Sequence, residues 1–254
     1  MSLKISDSFM SIQGEGVSVG VPAYFIRLQN CNLMCGGHEG ALMKEGKASW
    51  WCDSERIWKQ GKDTTNEELE QSFVDQGLME GILRGTTHLV WTGGEPTLPR
   101  SRASIIDFIT YMDEKYFTRG PNSTFHEVET NGTIPIDDGF YSIYMDQINC
   151  SPKLANSGMS ESMRIVPEAI NQINKHPGGY FKFVISTEDD MKEIHDSFIA
   201  PFNIPAKKII IMPGVDNRKD LPERTAFLFE MTKKYGYRGI TRQHILAWDK
   251  VTGV

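Results

Sequence analysis

An α/β fold built on a largely parallel sheet is what this sequence predicts, and three observations carry the prediction. Short apolar runs rich in β-branched and aromatic residues recur along the chain, helix-patterned segments alternate with them, and the chemically suggestive residues fall mostly where the runs end. Ligands of such folds bind at the carboxyl ends of the strands.

Pro22 to Gln29 (PAYFIRLQ) reads as a strand whose end delivers Cys31 into a loop. Thr65, with Glu68 three residues on, has the form of a capping box and opens a helix carrying Leu69, Phe73, Val74 and Leu78. Thr87 to Trp91 is a second β-rich run, and Thr92-Gly93-Gly94 begins where it ends. Further runs lie at Thr124 to Val128, Ile143 to Ile148, Tyr180 to Ile185 and Lys208 to Met212. The segments between them carry Ile105, Ile106, Phe108, Ile109 and Met112, then Ile170 and Ile173, and later Phe227, Leu228 and Met231. No repeat, low-complexity tract or interdomain linker interrupts this order. The 254 residues therefore read as one domain, 1–254, with a cysteine loop and insertion at 31–52 and a C-terminal segment at 240–254.

Lysine and arginine number 27 against 33 aspartates and glutamates, a formal charge of −6, so no broad cationic face for nucleic acid is implied. No apolar run approaches the roughly eighteen residues of a membrane span, and the N-terminus lacks the long apolar segment of a signal peptide. The expectation is a cytoplasmic protein with no membrane partner. Four cysteines are too few to staple a chain of this size, and a reducing compartment favours metal or catalytic use. Cys150 stands apart and reads as a small buried apolar side chain.

Cys31-Asn32-Leu33-Met34-Cys35 is a CxxxC step, and Cys52 follows after sixteen further residues, directly before Asp53-Ser54. Three thiolates can hold three irons of a four-iron cluster and leave the fourth iron open to a chelating ligand. On spacing alone two other readings stay open: a zinc site completed by His38, and unrelated buried cysteines.

The wider pattern resembles the radical S-adenosylmethionine enzymes. Their common CxxxCxxC motif is matched if fourteen residues, Gly36 to Ser49, are inserted between the second and third cysteines, before Trp51-Cys52-Asp53. Closure entropy grows only logarithmically with loop length, so a loop can still return Cys52 to the site. Thr92-Gly93-Gly94-Glu95-Pro96 is similar to the family's GGEP-type motif. Its glycines permit close backbone approach and Glu95 offers an acceptor for the ammonium of methionine, whereas a strand-closing glycine turn would explain the glycines alone. Ser11-Ile12-Gln13-Gly14-Glu15-Gly16, Phe25-Ile26-Arg27-Leu28, Cys52-Asp53-Ser54, Glu129-Thr130-Asn131-Gly132-Thr133, Ser151-Pro152-Lys153 and Gln243-His244 together resemble, in family order, the 7-carboxy-7-deazaguanine synthases.

That resemblance implies an abbreviated, open (β/α)6-type barrel, since a full eight-stranded barrel ordinarily needs a longer chain. It implies a lyase that contracts 6-carboxy-5,6,7,8-tetrahydropterin to 7-carboxy-7-deazaguanine in queuosine and deazapurine biosynthesis. The cofactors it implies are a [4Fe-4S] cluster on Cys31, Cys35 and Cys52, S-adenosylmethionine, and Mg2+ at Ser54, where the family usually has threonine. Thr92, Gly93, Gly94, Glu95, Glu129, Asn131, Thr133, Ser151 and Lys153 are the implied S-adenosylmethionine contacts. Ile12, Gln13, Gly14, Glu15, Arg27, Thr92, Gln243, His244 and the terminal Val254 are the implied substrate contacts. Arg27 suits the pterin carboxylate and Glu15 its ring N–H groups. Read singly, Arg27 suits a surface salt bridge equally well, His244 a core histidine, and Glu129 and Lys153 polar loop residues. A homodimer and a reducing donor such as flavodoxin or ferredoxin are further implications.

Two competing readings remain at this point. An activating enzyme that places a glycyl radical on a partner would keep the radical chemistry but not need Gln13 to Gly16, Arg27 and Gln243-His244 together. A zinc-binding interaction protein would use Cys31, Cys35, His38 and Cys52 and leave Thr92 to Pro96 unexplained.

Overall fold

The computed structural model describes residues 2–52, 54–118, 123–137, 139–251 and 253. Among them the strands form one nine-stranded sheet, ordered β3-β1-β2-β4-β5-β6-β7-β8-β9. β1 (Leu3–Ile12) lies antiparallel to β2 (Pro22–Leu28) and to β3 (Lys62–Thr64). From β2 onward every pairing is parallel, through β4 (His88–Gly93), β5 (His126–Thr130), β6 (Gln147–Cys150), β7 (Gly179–Ile185), β8 (Ile209–Pro213) and β9 (Arg238–Gly239). The sheet ends on β3 and β9 and does not close, which bears out the open α/β architecture. β2 and β4 to β8 are its six principal parallel strands, with β9 a two-residue addition.

Crossover helices cover the outer face. The helix Asn66–Asp75 starts at the predicted capping box: the Glu68 amide donates to Thr65 Oγ1 at 3.2 Å, and the Thr65 amide donates to Glu68 Oε2 at 2.9 Å. It buries Leu69 and Phe73, while Val74 on its other side is exposed. Pro99–Tyr116, Pro167–Lys175 and Leu221–Tyr235 begin with proline in the first turn, where the missing N–H costs nothing. Their apolar stripes, including Ile105, Phe108, Met112, Ile170, Ile173 and Leu228, meet the outward residues of the strands in one core. In β2 those are Tyr24, Ile26 and Leu28, in β4 Leu89 and Trp91, and in β7 Phe181, Phe183 and Ile185.

Strand residues alternate between faces, so the positions between these point into the lumen. On β4 to β7 the inward set carries His88 and Thr92, Glu127 and Glu129, Gln147 and Asn149, and Lys182, with Val90 and Val184 the apolar positions among them. A sheet with an apolar outer face and a charged inner one has its chemistry inside.

Two sequence expectations shift. The run Ile143 to Ile148 is not one strand, because Phe140–Tyr144 forms a helical turn and β6 begins only at Gln147. The N-terminal β1 has no predicted counterpart. Cys150 is fully buried as expected, and a Cβ on Gly132 would stand 2.5 Å from its sulfur. No described helix is long and apolar enough to cross a membrane.

Candidate active site

The cysteine loop leaves the carboxyl end of β2. Cys31 and Cys52 are partly exposed and Cys35 is buried, with no disulfide among them. The Cys52 amide donates to the Cys35 carbonyl at 3.1 Å, so the sixteen intervening residues bulge out without separating the two cysteines. Burial pushes the Cys31 thiol up to about 12, with Glu95, Cys35 and Cys52 pushing the same way against the Leu33 amide. Burial also raises Cys35, opposed first by the Lys153 ammonium. Ionised, Cys35 and Cys52 would oppose charge on Cys31, and Cys52 charge on Cys35, so the three are soft donors whose mutual repulsion bound iron would neutralise.

His38 does not join them. It is exposed, and its Nδ1 lies 3.5 Å from Glu55 Oε1. Among the described residues no three His, Cys, Asp or Glu side chains gather where one metal ion would be held. A closed zinc site on Cys31, Cys35, His38 and Cys52 is therefore not the arrangement present, whereas sulfurs arrayed around a multi-iron cluster need not meet at one point.

Gly93 and Gly94 follow β4 and press against the chain leading into Cys31. A Cβ on Gly94 would stand 1.7 Å from the Asn30 carbonyl oxygen, and one on Gly93 would stand 2.3 Å from the Leu28 amide nitrogen. Gly94 N donates to Leu28 O at 2.9 Å and Glu95 N to Asn30 O at 2.8 Å. The glycines are thus required by the protein's own backbone. Glu95 is buried and accepts from Thr97 N, Thr97 Oγ1, Thr130 Oγ1 and Asn131 N at 3.0, 2.6, 2.7 and 2.8 Å. Burial still raises its pKa, and an ammonium docked nearby would favour its charged form.

The segment after β5 grips the cysteine loop. Asn131 Nδ2 donates to Asn32 Oδ1 at 2.9 Å and approaches Cys31 Sγ at 4.0 Å, while Asn32 Nδ2 donates to Thr133 Oγ1 at 2.8 Å. Thr133 N and Oγ1 donate to Asn131 Oδ1 at 3.0 and 2.6 Å. After β6, Lys153 Nζ donates to Ser151 Oγ at 3.1 Å and lies 5.8 Å above the Trp50 ring. Ser54 Oγ lies 3.5 Å from Cys52 Sγ. Asn32 joins the site although no sequence signal singled it out.

Deeper in the lumen, Arg27 and Thr92 are register partners on β2 and β4, and Thr92 Oγ1 donates to Glu129 Oε2 on β5 at 2.8 Å. Arg27 Nε is buried without a hydrogen-bond partner, and its guanidinium lies 5.4 Å from the Phe9 ring. An orphaned guanidinium donor beside a polar row is what a carboxylate ligand would satisfy.

The loop 13–21 enters the lumen from the opposite, amino-terminal ends of the parallel strands. Gln13 Nε2 donates to Glu127 Oε2 at 3.3 Å, and that carboxylate also accepts from Asn149 Nδ2 at 2.7 Å and Gln147 Nε2 at 3.1 Å and faces His88 Nδ1 at 2.5 Å. Gln13 Oε1 accepts from Glu15 N at 3.2 Å, so the Gln13 side chain organises the lumen floor. Glu15 Oε2 accepts from Lys182 Nζ at 2.6 Å and Oε1 from Arg242 Nε at 2.8 Å, with His244 Nε2 3.9 Å away. Burial would raise the Glu15 pKa, but Lys182, Arg242 and His244 outweigh it and hold the carboxyl well below the usual range. Burial likewise opposes charge on Lys182, yet Glu15 and Glu129 leave its pKa raised. A Cβ on Gly14 would lie 2.3 Å from His244 Nδ1, and Gln243 N donates to Gly14 O at 3.2 Å. Ile12 ends β1 at the start of this loop. Lys182, Arg242 and Glu127 are further site residues absent from the sequence reading, and Val254 lies outside the described residues.

A strand-end trio of thiols above a polar lumen in an open, mainly parallel sheet is the arrangement that the resemblance to the radical S-adenosylmethionine enzymes implies. No protein-family model matches the chain. It is 27% identical over 252 residues to the 7-carboxy-7-deazaguanine synthase of Pyrobaculum aerophilum, covering 99% of this chain and 97% of that protein. It is 27% identical to the synthase of Halobacterium salinarum, covering 98% and 91%, and 29% identical to that of Rhodopirellula baltica, covering 96% and 86%. The crystal structure of QueE from Escherichia coli superposes with a TM-score of 0.60 at 20% identity, covering 95% of this chain and 94% of that one, which shows the shared fold. The resemblance carried by the motifs is borne out: this chain is a relative of the 7-carboxy-7-deazaguanine synthases along nearly its whole length.

Proposed function

We propose that the chain is a carbon–nitrogen lyase that converts 6-carboxy-5,6,7,8-tetrahydropterin to 7-carboxy-7-deazaguanine with loss of ammonia, on the route to queuosine and related deazapurines. The observation that carries this reading is the two-storey site, with Cys31, Cys35 and Cys52 at the strand ends and the row Arg27, Thr92 and Glu129 beneath them.

Held by the three thiolates, a four-iron cluster would supply, with S-adenosylmethionine, the one-electron chemistry that generates a hydrogen-abstracting radical. The protein's part is binding, orientation and exclusion of water. Glu95 and Gly94, with Asn131, Thr133, Ser151 and Lys153, line the strand ends where the methionine and adenosine groups would lie. The Arg27 guanidinium binds the pterin carboxylate. Glu15, kept ionised by two cations, retains lone pairs that accept from the ring N–H groups, with Gln243 and His244 beside it. The Ser54 hydroxyl offers a hard oxygen to magnesium. We further assign the chain as a single-domain cytoplasmic homodimer served by a flavodoxin or ferredoxin, in keeping with its four free cysteines.

The test is an anaerobic assay of reconstituted protein with the carboxytetrahydropterin, S-adenosylmethionine, magnesium and reductant, read by product mass. The deazaguanine is the expected product. Its absence from protein with an intact, reducible cluster would overturn the substrate assignment.

A further inference from the structure

The inserted segment 36–49 supplies none of the proposed ligands, yet it is fastened on both flanks. Gly36 N donates to Ser157 O at 2.8 Å, Ser49 N to Asn156 O at 2.9 Å, and Trp50 Nε1 to Asn156 Oδ1 at 2.9 Å. Asn156 Nδ2 passes the chain on to Asp190 Oδ1 at 3.1 Å, and Asp190 Oδ2 accepts from the amides of Ser186 and Thr187 at 2.7 and 2.9 Å. A Cβ on Gly158 would lie 3.1 Å from both Ala48 Cβ and Leu42 Cδ1, so the insertion packs on the loop after β6 without spare room. On the other flank the Glu39 amide donates to Glu55 Oε2 at 3.1 Å, and the fully buried Glu55 is also held by Lys59 Nζ at 2.6 Å.

We propose that this segment and the adjoining Trp50 form a clasp: through Gly36, Ser49 and Trp50 on Ser157 and Asn156 it ties the cysteine loop to the loops after β6 and β7, retaining the iron–sulfur cluster, while Trp50 positions Lys153. The proposal rests on the cluster reading above. Loss of a cluster requires a thiolate to swing off iron long enough for a competitor to enter. Cys52 sits at the base of the clasp, so its excursion is opposed by the Cys35 carbonyl and by the bonds through Asn156. The Trp50 ring beneath the Lys153 ammonium holds that cation near Cys35, a cation–π contact that a side chain without an aromatic ring cannot make.

Excising residues 36–49 leaves Cys35-Trp50-Trp51-Cys52, the ordinary CxxC spacing, across a gap that one backbone hydrogen bond already spans. This gives a direct test. Wild type, the excised protein, Trp50→Phe, Trp50→Ala and Asn156→Ala are loaded with iron and sulfide without oxygen. Iron content is measured, then the first-order fade of the brown colour after an iron chelator is added. Equal loading is expected, with fading roughly five-fold faster in Trp50→Phe, the factor carried by one net hydrogen bond, at least as fast in Asn156→Ala, which also loses the bond to Asp190, and faster still after excision. Affinity for S-adenosylmethionine should fall about three- to ten-fold in Trp50→Ala but hold in Trp50→Phe, which keeps a ring under Lys153. A loaded excised protein that fades no faster than wild type overturns the clasp, as do unchanged rates in both point variants should the excised chain fail to fold. Equal affinity in Trp50→Ala and Trp50→Phe overturns the positioning of Lys153. A wild type that takes up no iron overturns the cluster reading, and the clasp with it.

Discussion

Lys182 Nζ lies 2.6 Å from Glu15 Oε2, joining the middle of β7 to a loop 167 residues earlier. With Arg242 on the other oxygen, the pair pins the N-terminal loop inside the barrel. Breaking one partner of a buried pair strands the other charge. Lys182→Met should therefore destabilise the fold by about 3 kcal/mol, the lower end of the range for such losses because Arg242 still faces Glu15. Chemical denaturation gives the value, and Lys182→Met combined with Glu15→Gln should recover part of it in a double-mutant cycle. Strictly additive losses would show that the two residues do not stabilise each other.

The same pair sets a pH dependence. Glu15 has a depressed pKa in the folded protein, so the folded state binds fewer protons there than the unfolded state. Its stabilising contribution is fully present above the ordinary glutamate pKa of about 4.3 and is lost as pH falls toward the depressed folded value. Between about pH 4.5 and pH 3, the wild-type melting temperature should drop more steeply than that of Glu15→Gln. Parallel curves for the two proteins would place the acid-sensitive groups elsewhere.

Substitution of Arg27 tests the proposed substrate contact apart from the proposed cluster ligands. Its Nε is buried without a partner and its register neighbour is Thr92, well inside the strand-end loop that carries the cysteines. Arg27→Ala should keep the brown colour and full iron content while weakening pterin binding roughly 10- to 100-fold, as expected for loss of a charge-assisted bidentate contact. Arg27→Lys keeps the charge but not the fork and should fall between. Calorimetric titration of the loaded protein with the carboxytetrahydropterin decides it, and unchanged affinity in Arg27→Ala would move the carboxylate site.

What was legible in the sequence follows from range. The capping box at Thr65 and the apolar stripe with Leu69 and Phe73 are local signals, and the structure follows them. β1 carries no such signal because only Leu3 and Ile5 of its ten residues are buried, leaving a serine- and lysine-bearing strand without a sustained apolar alternation. The helix Glu188–Ile194 was hidden by its three acidic opening residues, which suit a helix N-terminus but dilute the apolar pattern. The cysteines and Thr92 to Glu95 stood out by residue type. Lys182 and Arg242 did not, because their partner Glu15 is 167 and 227 residues away and nothing near them in the chain announces the contact. Gly93 and Gly94 permit the close backbone approach that the sequence suggests, and the backbone that approaches is the protein's own, Leu28 to Cys31.

The ligand set is tested most sharply by comparing Cys52 with His38. The Cys52 amide bond to the Cys35 carbonyl keeps the backbones of these two cysteines together, while His38 is exposed and paired with Glu55. Cys52→Ala leaves two thiolates, too few to hold three irons, so the variant should come through anaerobic reconstitution nearly colourless and with little iron. His38→Ala removes only a contact to a carboxylate that Lys59 and the Glu39 amide still hold, so it should stay brown with full iron and lose less than about 1 kcal/mol of stability. Iron and sulfide analysis beside visible absorption reads both variants. A colourless His38→Ala, or a Cys52→Ala with a full complement of iron, would reassign the third ligand within the inserted segment.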